Sequence, residues 1–212
     1  MAIAERELIV PLQTAAGNQP NEEAAPRPYF WTREQFHQLG EAGYFDGRRV
    51  ILMEGEIILM PPIGDLHCGI VTVASAVLRE VFGPGFFVRE EKPFDVGDAT
   101  DPQPDIAVVA GTMRDYLYRG ITEAALIVEV SDSTLSYDRR DKASRYAKAG
   151  VADYWIINLA SSPPQVEIHR QPRPDDTQRY GFGYSETTTH QSGEIVQPLG
   201  AANPMAVSIL LP

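Results

Sequence analysis

Apolar and polar positions along this chain fall into blocks of two different periods, and the blocks predict its elements. Between Arg49 and Met60 two apolar runs, Val50-Ile51-Leu52-Met53 and Ile57-Ile58-Leu59-Met60, flank Glu54-Gly55-Glu56. That pattern predicts a β-hairpin, with Gly55 supplying the positive φ its turn needs, and Pro61-Pro62 ends it. From Asp65, a candidate N-cap, to Phe82 the period becomes helical: Ile70, Val73, Ala74, Val77, Leu78 and Val81 share one face until Gly83-Pro84-Gly85. Upstream, Thr32-Arg33-Glu34-Gln35 has the form of a capping box and Gly43 is placed to stop a short helix.

Phe86 to Val96 reads as a strand whose second half turns polar. Two compact runs rich in β-branched residues follow, Ile106-Ala107-Val108-Val109 and Leu126-Ile127-Val128, each bounded by loop residues as in strands covered on both faces. A helix is predicted from about Tyr137 to Ala149, with Ser133, Thr134 or Ser136 to cap it and Gly150 to end it. Asp153 to Asn158 is a further strand, and short antiparallel strands are expected around Val166 to His169, Tyr180 to Glu186, Glu194 to Val196 and Val207 to Leu211. Residues 1–28 mix Glu, Ala, Pro, Gln and Asn without a sustained period and read as a mobile arm. The remainder, 29–212, reads as one α/β domain with its core at about 49–160 and a β extension at about 161–212.

Two charged residues interrupt the most apolar stretches. Asp105 opens one buried strand and Glu129 sits inside the next, in Leu126-Ile127-Val128-Glu129-Val130-Ser131. Stripping water from a carboxylate costs several kcal/mol unless a cation or donated hydrogen bonds replace it. Two such residues on successive strands suggest a shared site, and Lys142 on the next helix adds an ammonium. Two carboxylates and an ammonium at the end of a sheet suit a divalent metal and an activated water.

Charge and cysteine content narrow the setting. The net charge of −11 argues against indiscriminate nucleic-acid binding through a basic surface. Locally, Arg139, Arg140, Lys142, Arg145 and Lys148 outnumber Asp138 and Asp141, a cluster able to hold a DNA backbone or to form an ordinary solvated helix face. The lone Cys68 permits no intramolecular disulfide, which fits a reducing cytoplasm. Nothing predicts a membrane span or a secretory signal.

The order helix, strand, strand, strand, helix, strand, with Pro104-Asp105 opening the second strand and Glu129 in the third, resembles the restriction-endonuclease-like, PD-(D/E)xK nucleases. More narrowly, Glu129-Val130-Ser131, Asp138 to Lys142, Tyr146-Ala147 and Gly150-Val151-Ala152-Asp153-Tyr154-Trp155 resemble a bacterial restriction-endonuclease family of unknown biological role. Gly55-Glu56-Ile57, Pro61-Pro62 and His67 fit its upstream pattern, so the likeness covers roughly residues 30–160. It implies a mixed central sheet flanked by helices, with an N-terminal hairpin and a C-terminal β extension. It also implies an endonuclease acting on DNA, RNA being the alternative substrate, with Mg2+ or Mn2+ held by Asp105 and Glu129, and a homodimer.

Two departures stand out. Ser131 occupies the usual lysine place two residues after the acid, and the resemblance implies that Lys142 supplies the ammonium instead. Ile51 and Asn158 stand where family members carry acids, and Glu56 is the candidate replacement. His67 is a candidate phosphate or metal contact, or a packing residue in the first turn of its helix. Asp138 is equally a surface i,i+4 partner of Lys142, and Tyr146 reads mainly as packing. The competing function is a module that keeps the fold without catalysis and binds nucleic acid or a protein.

Overall fold

The computed structural model describes residues 26–212, so nearly all of the expected N-terminal arm lies outside the described residues. Helix α1 (Arg33–Glu41) starts at the expected capping box, with Thr32 and Gln35 satisfying each other's backbone N–H groups. Strands β1 (Val50–Met53) and β2 (Glu56–Leu59) form the hairpin, and helix α2 (Asp65–Phe82) follows. Its N-cap is Gly64 and not Asp65, which lies inside the first turn where its charge still complements the helix dipole.

The centre is a six-stranded mixed sheet ordered β3 (Phe86–Glu90), β4 (Ile106–Ala110), β5 (Leu126–Ser131), β6 (Asp153–Asn158), β7 (Gln165–Pro174) and β8 (Phe182–His190). Neighbours are antiparallel except β5 and β6, whose parallel pairing requires a crossover connection. That crossover is helical: α3 (Leu135–Tyr137), a π-helical turn Asp138–Lys142, and α4 (Ala143–Lys148). A helix was expected here, but not the wide turn inside it.

Every side chain of β5 and β6 is buried, as their lack of alternation predicts. Leu126, Val128 and Val130 pack with Trp155 and Ile157 against α2, through Ile70, Ala74, Leu78 and Phe82. Ile127, Tyr154 and Ile156 face the other way, onto Ala143 and Tyr146 of the crossover. At roughly 1.5–3 kcal/mol for each large apolar side chain removed from water, these two layers fix β4 to β6 firmly enough to carry polar residues.

Three expectations are corrected. The strand from Phe86 stops at Glu90, because Glu91 takes a left-handed φ of 49° that turns the chain out of the strand after its last bond, to Asp105 O. The core, expected at about 49–160, runs further, since β7 and β8 of the β extension belong to the central sheet. Val207–Ile209 is a 3-10 turn, and the strand there is β10 (Met205–Ala206), paired with β9 (Ile195–Val196). No helix among the described residues is long and apolar enough to cross a membrane.

The hairpin tip is set by close backbone packing. Glu54 and Gly55 have φ of 47° and 83°, the positive pair that a tight two-residue turn requires. Gly55 N–H donates to Ala99 O at 2.7 Å and Gly55 O accepts from Trp31 N–H at 2.9 Å. A Cβ at this position would lie 2.6 Å from Phe30 Cβ, whereas at Gly47, with φ 70°, it would meet nothing within 4 Å. Gly47→Ala should therefore cost only the left-handed penalty of about 1–2 kcal/mol. Gly55→Ala should cost clearly more; equal losses in denaturant titrations of the two variants would show that the close approach to Phe30 carries no energy.

Candidate active site

The sheet register builds the site. Because Glu90 lies opposite Ile106 across the β3 and β4 pair, the next residues face each other, and Glu91 N–H donates to Asp105 O at 3.1 Å. Asp105 and Glu129 are tied reciprocally: Val130 N–H donates to Asp105 Oδ2 at 2.7 Å, and Asp105 N–H reaches Glu129 Oε2 at 3.4 Å. Side chains alternate along β5, so Glu129 and Ser131 share the face turned to the helical crossover.

The crossover supplies the third group. Its π turn buries Asp138, Asp141 and Lys142 together, and such wide turns recur where a helix must present functional groups. Lys142 Nζ stands 2.8 Å from Glu129 Oε2 and 3.1 Å from Asp138 Oδ1. The Asp138–Lys142 pair read from the sequence exists, but it is buried rather than on the surface. Tyr146 O–H donates to Glu129 Oε1 at 2.8 Å, giving a side chain expected mainly to pack a direct contact with the acid. Ser131 O–H donates to Asp138 Oδ2 at 2.6 Å and Thr134 O–H does so at 2.5 Å. The residue in the usual lysine place thus anchors the carboxylate that holds the relocated lysine.

Asp105 Oδ1 faces outward. His67 Nε2 lies 3.4 Å from it, too poorly aligned for a hydrogen bond and with no other partner, and Arg49 Nη2 lies at 3.8 Å. His67 heads the buried stripe of α2 that continues through Val71 and Ala74, which directs it at the head of β4. Ligand atoms of His67, Glu91 and Asp105 all fall within 4.8 Å of one another. Beside them a cavity of about 30 Å³, lined by Arg49, His67, Asp105 and Lys142 and walled by the hairpin exit, has room for water.

Electrostatics separates the two acids. Burial works against an ionised Asp105, yet the facing His67 and the Lys142 charge outweigh it and pull its pKa down. Burial pushes Glu129 up to about 8, with Asp105 and Asp138 adding to the rise and Lys142 opposing it. Lys142 is held charged: burial disfavours the ammonium, but Glu129, Asp138 and Asp105 more than offset it and raise its pKa. Burial lowers and Asp105 raises the His67 pKa, for a net rise.

Glu56 is remote from this cluster in its bonding, pairing at 2.8 Å with Arg179, which also reaches Asp141 at 2.6 Å. The basic stripe is largely neutralised. Arg139 makes a two-pronged pair with Glu167 at 2.8 and 2.6 Å. Arg145 is buried against Glu54 and Val96 O, and Lys148 bonds Glu54 at 3.2 Å. Arg140 is exposed, with its Nε on Ser136 O. Glu91 and Arg49 were not among the sequence candidates; an antiparallel register through Asp105 was the available signal for Glu91, and Arg49 had none.

A Pro-Asp at the head of one central strand, a Glu on its neighbour and a lysine delivered by the next helix stand together on a restriction-endonuclease-like fold. The chain belongs to the Uma2 family, described as "Putative restriction endonuclease", whose family model matches residues 33–203. Its fold is similar to that of a "putative nuclease belonging to DUF820" from Anabaena variabilis ATCC 29413, with a TM-score of 0.63 and 17% identity, over 85% of this chain and 97% of that one. No curated protein matches the chain.

Two outcomes follow from the buried cluster. Lys142→Met leaves Glu129 and Asp138 without their cation and should cost about 3–5 kcal/mol near neutral pH in chemical denaturation; a loss under 1 kcal/mol would show that the ammonium is not holding them. The raised Glu129 pKa gives a sign for pH. The folded chain retains a proton between the usual carboxylate range and about 8 that the unfolded chain releases, so this contribution is complete below the unfolded pKa and lost as pH rises through about 8. Metal-free protein should thus lose stability from pH 6 to 8.5, and Glu129→Gln should flatten that slope.

Proposed function

We propose that the chain is a metal-dependent endonuclease that hydrolyses phosphodiester bonds of DNA. The observation that carries this reading is the convergence of Asp105, Glu91 and His67 beside a cleft lined by Lys142, the ammonium that Glu129 and Asp138 hold.

The donor set fits a hard divalent ion. Carboxylate oxygens dominate it, the imidazole Nε2 of His67 has no partner, and Asp105, Glu91, Glu129 and Asp138 outnumber the nearby cations Lys142 and Arg49. Asp105 is the central ligand, with its outward Oδ1 available while Val130 holds Oδ2. Glu129, the partner expected from sequence, lies on the inner side with Lys142 and Tyr146 on its oxygens; His67 and Glu91 flank the outer side. Mg2+ or Mn2+ bound there would polarise a phosphate and lower the pKa of an attacking water.

The chain's own groups divide the remaining work. Lys142 borders the cleft and is kept protonated, so its ammonium offsets negative charge that grows on the phosphate in the transition state. Asp138, itself fixed by Ser131 and Thr134, positions that ammonium, and Tyr146 keeps the Glu129 carboxylate from rotating. Arg49 faces Asp105 across the cleft and suits a phosphate oxygen. Dimerisation is part of the same proposal: β8 is an edge of the central sheet, and an open edge invites pairing with a second copy.

A non-catalytic binding module is the second reading, favoured by the double occupation of Lys142 by carboxylates and by the net charge. Purified protein should cleave members of a mixed DNA and RNA panel only with Mg2+ or Mn2+. Asp105→Asn should abolish cleavage and calorimetric Mn2+ binding together. Lys142→Arg, which keeps charge but not a compact ammonium, should slow single-turnover cleavage by about 100-fold or more while leaving Mn2+ affinity nearly unchanged. Absence of both metal binding and cleavage in the wild type establishes the module instead, and sedimentation showing only monomer at micromolar concentration removes the dimer.

A further inference from the structure

Next to the catalytic cleft runs a second, larger concavity of about 340 Å³, within the range of small-ligand sites. The two adjoin, for Met60, Pro61, Ser133 and Thr134 line both. The groove has an apolar wall from β2, where Leu59 is 67% exposed, and an opposing wall from the start of the crossover. That opposing wall carries Ser136, Tyr137, whose hydroxyl is buried behind it without a hydrogen-bond partner, and the exposed Arg140. Arg140 spends only its Nε on the chain, leaving its other N–H groups unengaged among the described residues.

We infer that this groove seats an unpaired nucleotide next to the scissile phosphate, so that the preferred substrate is a single strand or a locally opened duplex. The inference rests on the nuclease reading of the adjoining cleft and adds the substrate class to it. An apolar wall accepts the flat face of a base, hydroxyl groups accept or donate at its edge, and a guanidinium at the rim meets the following phosphate.

Charge makes the same choice. A duplex is held mainly by cations spread along its backbones, but Arg139, Arg145 and Lys148 are each committed to a carboxylate here. The chain is also strongly acidic. Stacking of a base on an aromatic ring, by contrast, depends less on long-range charge and contributes on the order of 10-fold in affinity per base. In this groove Tyr137 is the aromatic side chain that supplies that contribution, with Leu59 adding apolar contact, where the backbone contacts are weak.

The test compares oligo-dT with the same strand paired to oligo-dA, using wild type, Ser136→Trp and Arg140→Ala. Ser136 is exposed and lines the groove but not the cleft of Asp105 and Lys142, so an indole there is placed to fill the groove alone. With Mn2+ the wild type should cut the single strand about 10-fold or more faster than the duplex. Ser136→Trp should bring the ratio near one by slowing only the single strand, and Arg140→Ala should lower it severalfold. Equal wild-type rates on both substrates, or an unchanged ratio in Ser136→Trp, overturn the inference. Fluorescence anisotropy of labelled oligo-dT in EDTA gives a readout independent of cleavage. If nothing is cut but Ser136→Trp still lowers oligo-dT affinity by about 10-fold or more, the groove assignment stands and the nuclease reading falls. If affinity is unaffected, the groove assignment falls.

Discussion

The structure depends on keeping a carboxylate inside a sheet whose two faces are both covered. Glu129 is fully enclosed on β5, where burial favours its protonated form, and Lys142, Tyr146 and the Asp105 backbone occupy its oxygens. An arrangement of this kind contributes little net stability compared with apolar residues of the same volume, while loss of one partner is severe. What it secures is position. An ammonium bracketed by Glu129 and Asp138 has few alternatives, and those two carboxylates are fixed in turn by a strand and by Ser131 and Thr134. The surrounding layers, α2 on one face and the crossover on the other, supply the apolar burial that makes this tolerable.

The outward half of the site has the opposite character. Asp105 Oδ1, His67 and Glu91 converge without satisfying one another, and two of the three backbone segments that present them end a regular element. Glu91 adopts a left-handed conformation that costs a non-glycine residue free energy. Completed hydrogen bonding inside and unfilled bonding capacity at the mouth, a few ångströms apart, is what separates a site that binds something from a buried ion pair that only fills space.

Much of this was legible in the sequence because it is written locally. A charge inside an apolar run marks Asp105 and Glu129 whatever the tertiary structure, and the capping box at Thr32 and the turn at Gly55 follow from neighbours in the chain. Lys142 was legible as a helix residue, but whether it was a solvated i,i+4 partner or a buried clamp depended on a π turn that no periodicity reveals. Glu91 was hidden because it matters only through the register of β3 on β4, and the polar tail of its run looked like more strand. Likewise, alternation shows that β7 and β8 are strands without saying which neighbour they pair with, so their place in the central sheet could not be read. The basic stripe shows the same limit: Arg139, Arg145 and Lys148 form a cationic cluster in sequence, and their partners Glu167 and Glu54 lie far along the chain.

The π turn has a consequence for how this site tolerates change. A π turn is an α-helix holding one surplus residue, and each residue of an α-helix advances the face by about 100°. Deleting any one residue between Asp138 and Lys142 would let the helix relax to its ordinary pitch while rotating every later side chain by that angle relative to the preceding ones. Either Lys142 or the Ala143 and Tyr146 face would then leave the sheet, since both cannot stay in register with α3. The cluster is therefore encoded in the length of the crossover as well as in its residues, and an alignment that matched every residue of it but closed a single-residue gap here would join two proteins with different geometry at this point.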